Sequence, residues 1–320
     1  MRALAAIVLA AMFAGCSVIS VDLSPRIRPL EEETVEGKGK AKILLIDVSG
    51  FLSDQSASPT INLTAPPPTV PLLVRFREEL KKAAKDHDVR ALVVKINSPG
   101  GTVTAADILF RELELFKREK KIPVVAAMMD VAASGGYYLA LGADTILAHP
   151  TTVTGSIGVI MLNVNAEGLM QKIGVAASAI KSGERKDMGS PFRALKPEER
   201  VIFQSVIDSL FDQFVAKVVE RRKIPRETAR SIADGRIYTA EQALSLKLID
   251  RIGYMHDAID VAQQAAGVHE AKVIVYRRAR QYRATYYAQA DAPARSIETS
   301  LADLATLIGP GPRFLYLWWP

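Results

Sequence analysis

Apolar residues occur along this chain in two patterns, short continuous runs and longer stretches at helical spacing. Continuous runs bounded by polar or glycine-rich segments predict strands that are buried on both faces of a sheet, whereas a three- and four-residue spacing predicts amphipathic helices. The predicted strands cover residues 42–48, 89–96, 123–129, 145–148, 175–180 and 271–275. The predicted helices cover residues 71–85, 103–120, 164–173, 197–222, 226–233 and 240–266, the last with an interruption at Gly253.

Glycine-containing turns join several predicted strands to the elements that follow them. Gly100-Gly101, Gly135-Gly136 and the segment from Gly155 to Gly158 lie at such turns. The repeated order of strand, glycine turn and helix predicts an α/β fold of stacked βα units with a helical C-terminal part. The predicted helix 197–222 carries an apolar stripe at four-residue intervals, which would face the core or a partner.

The first 16 residues have the pattern of an export signal. Arg2 is followed by an uncharged apolar run, residues 3–13, which is too short to span a bilayer comfortably. Phe13-Ala14-Gly15-Cys16 resembles the bacterial lipoprotein box, with phenylalanine where leucine is usual. We therefore expect lipidation of Cys16 and a cell-envelope protein that faces the periplasm, with Ser17 favouring the outer membrane. The alternative is an uncleaved anchor, or a simple signal peptide with an incidental cysteine.

The segment after this signal is polar and includes the acidic triplet Glu31-Glu32-Glu33. Its composition predicts a tether over residues 17–39, followed by one catalytic domain over residues 40–266. Residues 267–320 are predicted to hold a strand and an aromatic, apolar tail, which is a candidate contact in an oligomer.

The composition indicates a globular protein and excludes several kinds of site. Hydrophobic residues make up 49% of the 320 positions, which supports a substantial core. The net charge of +6 is spread over 41 basic and 35 acidic residues, and the densest basic tract, residues 117–121, lies at a predicted helix end without aromatic neighbours. Nucleic acid is therefore not an expected partner. Cys16 is the only cysteine, so the chain can form no intramolecular disulfide, and we expect neither a metal site nor a cofactor.

Ser134 lies between the apolar run 124–129 and a helical pattern that begins at Tyr137. Serine is a preferred N-cap, so the residue could simply start a helix. Alternatively, the glycines beside it would let its hydroxyl and the next backbone N–H groups approach a ligand on which negative charge develops. The local pattern leaves both interpretations open.

A nucleophilic serine needs a base to accept its proton. The four histidines are His87, His149, His256 and His269. Only His149 lies near the glycine turns, so a Ser-His-Asp triad is poorly supported. A lysine can replace histidine where burial disfavours its charged form. Lys181 and Lys186 both lie in the polar segment 181–192, and the residues alone do not choose between them.

Five segments, in this order along residues 40–266, resemble the signal peptide peptidase A family of serine peptidases. They are Ile-Asn-Ser-Pro-Gly-Gly at 96–101, Ala-Ala-Ser-Gly-Gly-Tyr-Tyr at 132–138, Thr-Gly-Ser-Ile-Gly-Val at 154–159, the segment 186–192, and Gly-Arg-Ile-Tyr-Thr at 235–239 with Leu-Ile-Asp at 248–250. The resemblance implies a crotonase-like fold related to the Clp protease, with one domain that carries a serine-lysine dyad.

The resemblance also implies a role for particular residues. Ser134 would be the nucleophile, and Lys186, five residues before a proline, would be its base in preference to Lys181. The backbone N–H of Gly135, together with that of Gly100 or Gly101, would bind the oxyanion. The expected substrates are signal-peptide remnants or other extended apolar peptides, and the expected assembly is a homo-oligomeric ring.

Two other classes of protein would keep the same turns. An acyl-CoA enzyme of the crotonase type shares the fold and its oxyanion geometry, but export would separate it from cytosolic CoA. A non-catalytic lipoprotein scaffold would also keep the glycine turns, because the fold itself needs them.

Overall fold

The structure is a computed structural model that describes residues 28–54, 70–278, 285–288 and 313–318. The predicted signal, Cys16 and the predicted tether as far as residue 27 lie outside these residues. Among the residues that are described, no helix is long and apolar enough to cross a membrane.

Strands and helices alternate through most of the described chain. The strands are β1 Glu31–Gly37, β2 Ala41–Ser49, β3 Val89–Ser98, β4 Gly100–Thr102, β5 Val124–Ala133, β6 Thr145–Ala148, β7 Val153–Gly155, β8 Ile160–Met161, β9 Ile237–Thr239, β10 Arg251–Ile252, β11 Ala271–Arg277 and β12 Phe314–Leu317. The helices are α1 Leu72–Lys85, α2 Val103–Lys120, α3 Gly135–Ala140, α4 Glu167–Lys172, α5 Pro197–Arg222, α6 Arg226–Ser231, α7 Ala240–Ser245 and α8 Met255–Ala265.

The main sheet has the order β1-β11-β2-β3-β5-β6-β10. Its pairs from β11 to β10 are parallel, and β1 is antiparallel at one edge. Strand β5 changes partner along its length, because residues 125–128 pair with β6 and residues 131–133 pair with β7. This α/β arrangement of stacked βα units confirms the predicted crotonase/Clp protease-like fold class.

Both faces of the main sheet are covered, which explains the continuous apolar runs in its strands. Alternate residues of β2 point to opposite sides, so that Leu44 and Ile46 belong to one buried cluster and Ile43 and Leu45 to another. Helices α1, α2, α3 and α5 contribute to the first cluster, and α8 covers the second. Helix α3, which begins at the turn after β5, therefore lies on the same face of the sheet as the first cluster.

The predicted tether is wrong over its last part. Residues Glu31–Gly37 form β1, which pairs along its length with β11, so the folded domain begins before residue 40. Glu32 at this edge accepts ion pairs from Lys42, at 2.8 Å, and from Lys272, at 3.4 Å. The strand was missed because an exposed edge strand is held by backbone hydrogen bonds and surface charges, and its sequence therefore reads as polar.

Two predictions for other segments also need correction. Residues 175–180 do not form a strand, and they are exposed, with Ile180 fully accessible. The C-terminal boundary at residue 266 is too early, since β11 is a central part of the sheet. The described part of the apolar tail, β12, pairs with β4 and β8 of its own chain, and its candidate role as a contact in an oligomer stays a prediction.

A second, small sheet contains β12 as its middle strand, with β4 on one side and β8 on the other. Both pairings are antiparallel. Because β4 begins with the glycine pair at the end of β3, this sheet lies directly beside the predicted oxyanion turn.

Candidate active site

Ser134 occupies a sharp turn between β5 and α3. Its backbone has φ 51° and ψ −113°, a region that residues with a side chain rarely adopt. The Ser134 N–H donates to the Gly155 carbonyl at 2.7 Å, which ties the turn to β7. Gly136 is required next, because a Cβ there would lie 2.7 Å from the Ser98 carbonyl oxygen. Backbone strain of this kind persists only where the surrounding structure holds it in place.

The Ser134 hydroxyl is buried and has no hydrogen-bond partner among the described residues. Only 1% of the residue is accessible. The residue occupies the N-cap position of α3, yet its side chain makes no capping hydrogen bond. A buried hydroxyl without a partner costs about 1–3 kcal/mol, so this position is unfavourable for a purely structural serine. The arrangement therefore favours the nucleophile interpretation over the cap interpretation.

The turn after β3 lies against the Ser134 turn. Gly100 has φ 105°, and a Cβ on it would lie 2.8 Å from the Gly135 nitrogen. The close approach of the two turns therefore requires a glycine at position 100. Gly101 is equally confined, since a Cβ on it would overlap the Leu52 carbonyl oxygen.

The structure distinguishes between Gly100 and Gly101 as backbone donors. The Gly100 N–H donates to the Ser98 hydroxyl at 3.1 Å, and that hydroxyl donates to the Gly50 carbonyl at 2.6 Å. Gly100 is therefore occupied within its own turn. The Gly101 N–H instead faces β12, where Gly101 is paired with Tyr316 in the antiparallel ladder, and the Tyr316 carbonyl oxygen lies beside the Gly135 turn.

Sequence reasoning missed the role of Ser98. Its hydroxyl holds the glycine turn by accepting from one backbone group and donating to another, and the residue is fully buried. The sequence does draw attention to Ser98, because this residue lies inside the motif at 96–101. Nothing in the motif, however, indicates which atoms the hydroxyl contacts.

Lys186 is exposed on a turn, where its backbone N–H donates to the Gly183 carbonyl at 3.1 Å. The structure does not bring its ammonium to Ser134, since the Ser134 hydroxyl has no partner among the described residues. Lys181 differs, because its ammonium binds Asp187 at 2.7 Å and the Glu184 carbonyl at 2.9 Å. Of the two candidate bases, Lys181 is therefore engaged in local contacts that hold the segment together.

No histidine contacts Ser134 in the part of the chain that the structure describes. His149 Nδ1 lies 2.8 Å from the Thr151 hydroxyl, and its ring packs edge-on against Tyr254. His256 lies beside Asp260 on α8. The His149 and His256 rings therefore have partners other than Ser134. The described residues contain no cluster of side chains suited to a metal ion.

Arg193 connects the Lys186 segment to the start of α5. Its guanidinium donates to Asp187 at 2.9 Å and to the buried Glu199 at 2.6 Å. Hydrogen bonds from Arg193 and then Lys181 hold the pKa of Asp187 well below its usual range, and the Arg193 hydrogen bond also lowers the pKa of Glu199. The charged form of each carboxyl group is thus stabilised by the folded segment.

We expect this network to weaken in acid. Because both carboxyl pKa values are lower in the folded protein than in the unfolded chain, the contribution is complete above their ordinary values near 4 and is lost as the pH falls through the folded values. Hydrogen exchange, corrected for its intrinsic pH dependence, should show protection of residues 181–193 at pH 7 that decreases below about pH 4.

Arg193→Ala should remove this protection already at pH 7. Arg226→Ala is the matched control, because Arg226 pairs only weakly with Asp212 on the protein surface, at 3.5 Å. Unchanged exchange in Arg193→Ala would contradict the assignment of Arg193 as the residue that orders this segment.

Comparison with protein families gives a match to peptidase family S49 over residues 116–269. A putative signal peptide peptidase SppA of Enterococcus faecium is 36% identical over 247 residues, which cover 77% of this chain and 70% of that protein. A putative protease of Synechocystis sp. is 43% identical over 192 residues, covering 60% and 69% of the two chains. Protease 4 of Salmonella typhi is 33% identical over 199 residues, covering 62% of this chain and 32% of that longer one.

Two solved structures align with more distant similarity. A membrane-bound stomatin-specific protease covers 70% of this chain and 85% of its own, with 18% identity and a TM-score of 0.41. ClpP1 from Listeria monocytogenes covers 67% of this chain and 94% of its own, with 14% identity and a TM-score of 0.42.

Proposed function

Because this chain belongs to the signal peptide peptidase A family of serine peptidases, peptidase family S49, we propose that Ser134 and Lys186 form its catalytic dyad. The proposed activity is endopeptidase cleavage of extended apolar peptides, such as signal-peptide remnants, at a membrane surface. The observation that carries the proposal is the buried Ser134 hydroxyl, which has no partner among the described residues and lies at the meeting of two glycine turns.

In the proposed reaction the neutral Lys186 amine accepts the hydroxyl proton as Ser134 Oγ attacks the peptide carbonyl carbon. The N–H groups of Gly101 and Gly135 bind the oxyanion, a contribution worth about 3 kcal/mol for each donor. The Lys186 ammonium then protonates the leaving amine, and the peptide C–N bond breaks. Lys186 then accepts a proton from the water that attacks the resulting ester. As the ester C–O bond breaks, Lys186 returns that proton to Ser134 Oγ, and the peptide leaves with a new carboxyl group.

This mechanism requires Lys186 to leave its exposed position and approach Ser134. The segment that carries it is attached through Arg193 to α5, so a change at that helix would move the lysine. Exposed apolar side chains nearby, at Leu169, Ile173 and Ile180, would be covered in a homo-oligomeric ring. We include such a ring in the proposal, and native mass spectrometry that finds only monomers at micromolar concentration would contradict it.

A lipid anchor at Cys16 is part of the same proposal and rests on the sequence pattern of residues 1–16. We expect labelled palmitate to be incorporated into the full chain in bacteria and to be absent from Cys16→Ser. Equal labelling of the two proteins would rule out Cys16 as the acceptor. Fractionation of the labelled cells would then test whether the outer membrane holds the protein.

A serine-directed probe tests the proposed nucleophile against the other two classes. A peptide aldehyde or a fluorophosphonate should form an adduct that peptide mapping locates at Ser134. Binding of an acyl-CoA without adduct formation would favour a crotonase-type enzyme. The absence of an adduct, of CoA binding and of peptide hydrolysis would favour a scaffold.

A further inference from the structure

Strand β5 contains a bulge shortly before Ser134. Ile96 of β3 pairs with Met128, whereas Ser98 pairs with Ala132, so three residues of β5 lie opposite one residue of β3. The neighbour on the other side of β5 changes at the same place, from β6 to β7. Bulges are frequent beside active sites, where they redirect a strand or a side chain.

The bulge adds two residues to β5, and this number keeps the side chains on their faces. Successive side chains of a strand point to opposite faces, so a single extra residue would turn the rest of β5 over. With two extra residues, Met128 and Ala132 both belong to the first buried cluster. The chain therefore reaches Ser134 on the face of the sheet that carries α3.

The bulge also sets the level of Ser134 against the glycine turn after β3. A ladder without the bulge would place Ala132 opposite Gly100, whereas the bulge places it opposite Ser98. Because Ala132 lies two residues before Ser134 and Ser98 lies two residues before Gly100, the two turns come level. Their contact is close, since a Cβ on Gly100 would lie 2.8 Å from the Gly135 nitrogen.

A side chain of β3 holds one end of the bulge. Asn97 Oδ1 accepts a hydrogen bond from the Val131 N–H at 3.1 Å. Asn97 is itself held on its other side, because it pairs with Ser49 of β2 and its carbonyl accepts from the Gly50 N–H at 2.9 Å. The Asn97 side chain thus supplies an acceptor to a backbone group where the regular ladder is interrupted.

The opposite side of the bulge is held by the segment that leads into β7. The hydroxyl of Thr152, a residue that is 1% accessible, donates to the Met129 carbonyl and lies 3.1 Å from the Met128 carbonyl oxygen. The Thr154 hydroxyl donates to the Ala132 carbonyl at 2.6 Å. Side chains from both neighbouring strands therefore satisfy backbone groups in and beside the bulge, which would otherwise be costly to bury.

We propose that Asn97 is a positioning residue for the reaction of Ser134. This inference rests on the proposed peptidase function. Asn97 Oδ1 fixes the Val131 end of the bulge, and residues 131–133 form a short ladder with β7 that passes any displacement on to the serine. Asn97 thereby sets the position of the Ser134 hydroxyl relative to the Gly100 turn. A displacement of about 1 Å can lower an enzymatic rate by about a hundredfold.

Steady-state hydrolysis of a fluorogenic apolar peptide by the full chain tests the inference. Asn97→Ala should lower kcat by about tenfold to a hundredfold and leave KM within about twofold, because the side chain acts on the serine and not on peptide binding. Asn97→Asp keeps an acceptor oxygen and should restore kcat to within about threefold of the wild type. The rate at which a fluorophosphonate labels Ser134 should follow kcat in all variants.

Asp144→Ala is the matched control, because it removes a side-chain acceptor from the other end of the same strand. Asp144 Oδ2 accepts from the Val124 N–H at 2.9 Å, and Oδ1 pairs with Lys117 at 2.6 Å. This variant should lower Tm at least as much as Asn97→Ala does, and its kcat should stay within about twofold of the wild type.

Thr152→Val is a second test, which also serves if Asn97→Ala fails to fold. It keeps the shape of the side chain and removes the hydroxyl from the other side of the bulge, so kcat should fall about tenfold. Wild-type kcat in Thr152→Val or Asn97→Ala would contradict the inference.

Three other outcomes have a definite meaning. If Asn97→Asp is as impaired as Asn97→Ala, or if Asp144→Ala loses as much activity, the positioning role is wrong and the peptidase function stands. If Asn97→Ala raises KM without lowering kcat, the residue acts in peptide binding and the inference is wrong. If the wild type neither hydrolyses peptides nor labels at Ser134, the proposed function fails and this inference fails with it.

Discussion

Alanine at Ser134 or at Lys186 is expected to lower kcat for peptide hydrolysis by about a thousandfold or more. The first change removes the attacking oxygen, and the second removes the group that accepts and returns its proton. Because the two groups act in one step, the double variant should be little worse than either single one. The measurement is steady-state hydrolysis of a fluorogenic apolar peptide by the full-length protein.

Lys181→Ala is the matched control for the lysine. Lys181 binds Asp187 and the Glu184 carbonyl, so its loss should loosen the segment and leave most of the activity. Equal losses in the Lys181 and Lys186 variants would indicate that the segment acts only through its structure. Full activity in Lys186→Ala would exclude the dyad.

Ser134→Ala should preserve or raise the thermal stability of the protein, although it should abolish the activity. The Ser134 hydroxyl is buried without a partner in the described structure, so Ser134→Ala removes an unsatisfied polar group. We expect its Tm to equal or exceed that of the wild type. A marked fall in Tm would show that the hydroxyl has a structural contact, and the N-cap interpretation would then regain support.

The second large effect is expected for Gly100→Ala. The added methyl group would overlap the Tyr316 carbonyl oxygen and lie 2.8 Å from the Gly135 nitrogen, and φ 105° disfavours any side chain at this position. The two backbone donors would be forced apart. Since the loss of one oxyanion donor costs a factor of about 100 to 1,000, we expect kcat to fall by at least a hundredfold.

Gly168→Ala adds the same methyl group in the exposed helix α4, where no heavy atom lies within 4 Å. This control should keep the activity, and the better helix propensity of alanine should preserve or raise its stability. Gly100→Ala with wild-type activity would show that the two turns separate without cost and would remove Gly101 and Gly135 from the proposed oxyanion site.

The central strands and main helices were predictable because burial on both faces imposes a pattern on the residues themselves. The helix predicted at 197–222 is α5, with the same bounds. Pro197 is suited to its first turn, and Lys223, whose backbone is in the left-handed αL conformation, ends it. The Ser134 turn was predictable for a similar reason, because small residues are needed wherever two backbones meet. The absence of a capping hydrogen bond from the Ser134 hydroxyl was not predictable, since the sequence allows a serine at this turn either to cap the helix or not.

Segments at the edges of the structure were predicted less well. Strand β1 reads as a polar tether because only its backbone enters the sheet. Residues 175–180 read as a strand because they are apolar, yet they are exposed in the described chain. In both cases the deciding quantity is the presence or absence of a neighbouring element, which the local residues do not encode.

By itself the sequence determined which runs form the buried sheet, that Ser134 follows one of them at a glycine turn, and that no histidine pattern accompanies it. Only the tertiary structure showed that the Ser98 hydroxyl accepts the Gly100 N–H, whereas Gly101 is paired with β12. Only the tertiary structure showed what fills the cleft. Strand β12 comes from the far end of the chain and binds through backbone groups that every such segment carries, so its pairing leaves no pattern in the sequence.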